Sequence, residues 1–280
     1  MKFTLSAIAS MTILSMVGGG VDASQLSLPE QRLNYATSIS QATEPVDLAL
    51  LAKSITNLLQ SDRYQTDSQI EFNVGTQGTQ TTIYLQSKMI TQAGRKFRAE
   101  IAYTKPGEPP QTGNLVISNG KQVWIYRSDL QQYSVSSYTD FKDSSDWVLI
   151  GISSFAFIDF PEEDRKVVVD GNLSANNVLS YLGLASNSEL QGNQQTLDGQ
   201  SVYVYGYKDS QEGFTLTAFI NPETASLQQV QLAGKSDNLD ILLTEKILSR
   251  TTNPTISSNT FQFLPPKGTT RVKSLSISPL

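Results

Sequence analysis

Residues 114–127 limit the possible folds more than any other stretch of the chain. Leu115, Val116 and Ile117 precede Asn119-Gly120, and Val123, Trp124, Ile125 and Tyr126 follow it. Asn-Gly between two apolar runs is the strongest short-range signal for a β-hairpin. Asn tolerates positive φ, and Gly adopts it freely. A second reversal at Arg127–Leu130 leads into a third strand, Gln131–Val135. The centre of the chain therefore reads as an antiparallel meander rich in β-branched and aromatic residues.

Strand patterns continue on both sides. Upstream they cover Gln69–Val74, Thr81–Ile90 and Arg95–Tyr103. In the last of these Phe97, Ala99, Ile101 and Tyr103 alternate with Lys96, Arg98 and Glu100, the pattern of a half-buried sheet. Residues 104–110 are a turn-rich connection. Downstream, Asp198-Gly199 marks another hairpin. The stretch Asp198–Tyr205 echoes Asn119–Tyr126, the same turn chemistry used twice. Phe214–Ile220, Leu227–Leu232 and Leu239–Ile247 follow, and Phe261–Gly268 reads as a short strand with a rigid exit at Pro265-Pro266. Ten or eleven strands joined by short reversals imply antiparallel neighbours. A sheet that large must curl. The expected fold class is mainly β: one curled antiparallel sheet, an unclosed half-barrel, with helices over its concave face.

Helical periodicity is confined to two regions. Asp47 can cap a helix whose Leu48, Leu51, Ile55, Leu58 and Leu59 share one face. Residues 136–188 hold two further candidates, Trp147–Phe157 and Asn176–Leu184. Between them Pro161–Asp164 reads as a solvated charged loop.

Composition removes several function classes. The 280 residues contain no Cys and no His. Disulfides, thiolate nucleophiles, a lipid-modified cysteine, histidine bases and the usual transition-metal sites are all excluded. Neither a metal nor another cofactor is expected. A net charge of −5 offers no field that would attract nucleic acid. Lys2, the apolar run Phe3–Val17 and the small residues around Ala23 read as an export signal over residues 1–23. At about 15 residues the run is short for a membrane span. Residues 24–44 read as a flexible lead-in, and 45–280 as a single domain with a helical insertion at about 140–187.

The order of these pieces is similar to that of the periplasmic outer-membrane lipoprotein carriers of the LolA-like fold, over about residues 46–270. The shared features are an export signal, an amphipathic helix and a strand opening Arg95-Lys96-Phe97-Arg98. They also include the hairpin Leu115–Tyr126 and the ending Phe261–Gly268. The resemblance implies an unclosed barrel with a helical lid over a hydrophobic cavity. It implies a periplasmic carrier that shelters the acyl chains of lipoproteins or lipids. One branch with this fold performs catalysis, but no catalytic constellation is visible in this sequence, so no enzymatic activity is expected. Inner- or outer-membrane transport components would be its partners. Two features depart from the family. The family's lid-fastening arginine falls near Ala93, so that latch is missing or moved to Arg95. The segment 136–188 is also longer than in the compact carriers. An envelope interaction or sensing module without cargo is the alternative reading.

The candidate cavity residues come from three places. Leu51, Ile55 and Leu58 lie on the helix, and Phe97, Ile101, Val116 and Val123 on the strands. Trp147 and Ile150 lie in the insertion. Each is either cavity lining or ordinary core. The hairpin register is also open. A two-residue loop pairs Val116 with Val123, a three-residue loop pairs Leu115 with it, and Trp124 and Tyr126 face either side accordingly.

Overall fold

The computed structural model describes residues 45–76, 79–104, 111–184, 190–210, 213–236 and 239–277. The export signal and lead-in expected over 1–44, and most of the connection expected over 104–110, lie outside these residues.

Twelve strands form one sheet in the order β12-β6-β5-β4-β3-β2-β1-β11-β10-β9-β8-β7, open at both edges. The strands are β1 (Arg63–Thr76), β2 (Thr79–Gln92), β3 (Lys96–Thr104), β4 (Gln111–Asn119), β5 (Gln122–Arg127) and β6 (Gln132–Ser137). They continue as β7 (Leu190–Leu197), β8 (Gln200–Asp209), β9 (Phe214–Ile220), β10 (Leu227–Ser236), β11 (Leu239–Thr252) and β12 (Thr270–Arg271). All neighbours are antiparallel except β12, whose two residues run parallel to β6. Two local meanders, β1–β6 and β7–β11, meet at a central seam where Phe72 faces Leu243 and Ile70 faces Glu245.

Strand alternation sorts the side chains cleanly. On β3, Phe97, Ala99 and Ile101 are sealed from solvent, as are Val116 on β4 and Val123 on β5. Pairing carries that parity through Leu85 and Met89 on β2 and through Tyr64, Ile70 and Phe72 on β1. These residues form the inner face. Trp124, Tyr126 and Tyr133 lie on the outer face, where the Phe263 ring packs 5.3–6.5 Å from all three. Phe261–Gly268 is therefore an irregular strap across outward aromatics, not a strand. Pro265 and Pro266 supply no N–H for a ladder.

The Asn119-Gly120 hairpin exists, but in neither of the two expected registers. Ser118 pairs with Val123, and Val116 with Ile125. The face assignment survives because the shift is an even number of residues. Local hydrogen bonds explain it. Asn119 Oδ1 accepts from the N–H groups of Lys121 and Gln122, at 3.0 and 2.9 Å, so Asn119 ends β4 and does not itself turn. Gly120 alone takes positive φ, at 94°. A Cβ there would lie 2.6 Å from the Gly94 carbonyl oxygen. Gly120→Ala is expected to cost roughly 2 kcal/mol or more. A urea midpoint unchanged from wild type would contradict this. By contrast, Asp198-Gly199 is the tight two-residue turn that the sequence suggests, with φ of 50° and 80°.

The helices lie on the inner face. They are α1 (Leu48–Leu59), α2 (Tyr138–Lys142), a 3-10 turn (Asp146–Ile150), α3 (Ile152–Ile158), α4 (Glu162–Val169) and the single turn α5 (Val178–Tyr181). Three expectations are corrected here. Trp147–Phe157 is not one helix, because Gly151 breaks it with φ 111°. Asn176–Leu184 shrinks to α5. Pro161–Asp164 is not a loop. It opens α4, whose first turn holds Glu162, Glu163 and Asp164, where acidic groups oppose the positive end of the helix dipole.

Candidate functional site

Among the described residues, the inner face carries the main apolar core, and the chain's own segment 146–158 packs against it. Of residues 146–158 all but Ala156 are buried. This segment, the plug, is apolar on most sides, which suits a segment enclosed between sheet and helices. Trp147 stacks on Phe155 with ring centroids 4.6 Å apart, and Phe157 meets Tyr64 edge-on at 5.0 Å.

Of the nine candidate residues, Phe97, Ile101, Val116, Val123, Trp147 and Ile150 belong to one core cluster that runs along β1–β5 and β9–β11 and includes the plug. Leu58 packs against its margin. Leu51 does not join it. With Leu50 and Ala52 it faces Tyr203 and Tyr205 beneath β8. Ile55 touches both clusters. Helix α1 therefore covers the boundary between two pools of apolar side chains and not one cavity. Its start is pinned to β8: the Tyr203 hydroxyl accepts from Asp47 N–H at 3.0 Å, and the Tyr205 hydroxyl donates to Asp47 O at 2.6 Å. Asp47 Oδ1 caps the helix by accepting from Leu50 N–H at 2.9 Å.

A compact polar spot holds the middle of the plug to the sheet. The Ser87 hydroxyl donates to Ile150 O at 3.1 Å. Glu245, fully buried on β11, accepts from Ser153 N–H at 2.7 Å and from the Ser153 hydroxyl at 2.9 Å. Arg250 Nη2 donates to that same hydroxyl at 2.6 Å, and its Nε donates to Thr66 Oγ1 at 3.1 Å. Gly151 makes the approach possible, since a Cβ there would stand 2.7 Å from Glu245 Oε1. Burial pushes the Glu245 carboxyl above its ordinary range. The Ser153 N–H, the Arg250 charge and the Ser153 and Ser68 hydroxyls oppose that shift only in part. Burial likewise lowers the Arg250 guanidinium.

The two ends of the plug are tied separately. At the first, Asp146 Oδ1 accepts from the Ser276 hydroxyl at 2.8 Å and from Ile277 N–H at 3.1 Å. Ile277 is itself fully buried, and its carbonyl accepts from Tyr103 and from Asn114 Nδ2. After the last plug residue, Asp159 accepts from Lys142 Nζ at 2.6 Å and pairs loosely with Arg95 at 3.9 Å. Arg95 also lies over the Tyr138 ring, 5.1 Å from its centroid.

The architecture is thus the one that the resemblance implied: a single unclosed sheet with its helices gathered on the inner face. No family model and no curated protein sequence matches the chain. Solved structures do. One is an uncharacterised conserved protein from Thermus thermophilus, with 14% identity, TM-score 0.43, and coverage of 80% of this chain and 97% of that one. Another is a LolA superfamily protein from Nitrosomonas europaea, with 9% identity, TM-score 0.31, and coverage of 78% and 98%. A third is MucB in complex with MucA from Pseudomonas aeruginosa, with 9% identity, TM-score 0.34, and coverage of 78% and 61%.

Arg95 does reach the helical layer, but it is mostly exposed and its ion pair is long. A second, buried arginine makes the closer connection. Arg165 Nη1 donates to Leu59 O at 3.2 Å and to Ser61 O at 3.1 Å, and Nη2 donates to Phe157 O at 3.0 Å. Its guanidinium lies 4.3 Å from the Phe157 ring centroid. One side chain on α4 thereby fastens the ends of both α1 and α3.

Sequence reading missed Arg165, Glu245, Arg250, Ser153 and Gly151. For Glu245 a signal existed, because it occupies the apolar parity set by Ile241 and Leu243. Among the described residues no helix is long and apolar enough to cross a membrane.

Proposed function

We propose that this protein is a periplasmic carrier that shelters the acyl chain of a lipid or lipoprotein beneath its sheet, taking it up in exchange for its own plug. The role is binding, with no covalent chemistry. One observation carries the reading. The segment over the inner face is apolar, yet among the described residues the hydrogen bonds that fasten its middle to the sheet run through Ile150 O and Ser153.

Burying an acyl chain of ~16 carbons is worth about 12 kcal/mol, at roughly 0.8 kcal/mol per CH₂. Exposing the eight large apolar side chains of the plug would cost about 12–24 kcal/mol, at roughly 1.5–3 kcal/mol each. The acyl chain therefore offsets only the low end of that cost, and the exchange requires the displaced plug to rebury part of its apolar surface.

The two tryptophans make the exchange measurable. Trp124 is on the outer face and Trp147 in the plug, so a Trp124→Phe variant reports the plug alone. Titrating the delipidated variant with a fatty-acyl probe is expected to shift Trp147 emission to the red, saturably. A protein that binds no acyl probe would overturn the carrier reading. The alternative, an envelope interaction module with a permanently filled core, draws on the complete burial of Ile150 and the near-complete burial of Phe157. It requires that Trp147 emission stay unchanged.

A further inference from the structure

The polar spot at the centre of the inner face bears on the choice of ligand. Glu245 stands in the ladder between two apolar residues, Ile70 and Val230. Its Oε2 is satisfied by Ser153 N–H and its Oε1 by the Ser153 hydroxyl. The hydroxyl oxygen in turn accepts from Arg250 Nη2. One plug residue thus presents two donors to the carboxylate, an amide N–H and a hydroxyl, and an acceptor to the guanidinium. Once the plug leaves, both charged groups lose those partners under a largely hydrocarbon roof. A bare aliphatic chain would replace neither Ser153 donor, leaving Glu245 only the Ser68 hydroxyl and the Arg250 charge, and an under-paired buried charge is disfavoured.

We propose that Glu245 and Arg250 form a polar subsite that selects acyl chains joined through an amide. The amide N–H takes the place of Ser153 N–H at Glu245 Oε2, and the amide carbonyl accepts from Arg250 Nη2, turned away from Glu245 Oε1. This rests on the carrier reading and narrows it to a ligand class. An ester supplies the carbonyl but no donor. A free carboxylate supplies only acceptors and sets negative charge beside Glu245. A site built to hydrogen-bond an N–H rejects the analogue that lacks it, because its own acceptor is then left unpaired.

The test is competition on the delipidated protein. N-methyl dodecanamide, methyl dodecanoate and dodecanoate each displace a bound fluorescent acyl probe. The amide is expected to compete at a concentration at least ~10-fold lower than the ester. In the Glu245→Met/Arg250→Met double variant that preference should fall to about one. The paired replacement removes both charges together and leaves neither stranded. The wild-type comparison stands whether or not the variant folds. Saturable displacement with equal potency for amide and ester overturns the subsite and leaves the carrier reading intact. Absence of any saturable probe binding overturns both.

Discussion

Arg165→Ala should lower the unfolding free energy by about 3–5 kcal/mol, the largest loss expected from any single side chain on the helical layer. Arg165 is only 8% exposed, and its guanidinium donates to three backbone carbonyls at two different helix ends. Truncation strands Leu59 O, Ser61 O and Phe157 O in a site from which water is excluded, at roughly 1–3 kcal/mol each before relaxation. It also removes the stacking of the charge on Phe157. Lysine should rescue little, since a single ammonium lacks the planar fork that reaches all three acceptors. Urea denaturation of the three proteins is the measurement. A loss under about 1 kcal/mol for Arg165→Ala would mean that the helical layer is held by its apolar contacts alone.

The second large effect is a dependence on pH that one substitution should remove. The Glu245 carboxyl is raised above its ordinary value of 4.5, with burial the leading cause. A raised carboxyl means that the folded state keeps its proton longer than the unfolded state does. Its contribution to stability is therefore complete below the ordinary carboxylate range. It is lost as pH climbs from about 4.5 through the folded value. Glu245→Gln stays uncharged and still offers an oxygen to Ser153 N–H. Relative to wild type, the variant should gain stability progressively over that climb and match it most nearly below it. Each tenfold difference in proton affinity between the folded and unfolded states corresponds to about 1.4 kcal/mol. Parallel stability–pH curves for the two proteins would refute the assignment. Asp146 is raised by burial as well, so only the difference between the curves isolates Glu245.

Much of the fold was legible because period-two patterning and turn dipeptides are local signals. Phe97, Ala99 and Ile101 fell on one face by alternation alone, and Asp198-Gly199 turned where it should. The register at Asn119-Gly120 was not legible. It depends on where the Asn119 side chain sends its hydrogen bonds and on the nearby Gly94 carbonyl, which is remote in sequence. Helix α4 was hidden because its acidic first turn has the composition of a solvated loop. The site divided along the same line. The buried positions on the strands could be read from alternation, whereas the fastening side chains could not. Arg165 acquires its role only once the ends of α1 and α3 lie beside it. Glu245 gave a readable hint, a carboxylate at an apolar position, whose meaning needed Gly151 and Ser153 opposite.

The central seam has a bearing on how the protein is made. Strand β1 begins at Arg63, and the strand that completes it, β11, ends at Thr252. During synthesis or passage through a pore, one long flank of β1 therefore waits through most of the chain for its neighbour. An unmatched strand flank invites adventitious pairing with other chains. Late closure between sequence-distant segments also slows productive folding. A nascent copy of this protein would thus gain from a holding factor that occupies β1 and yields only when the second meander arrives.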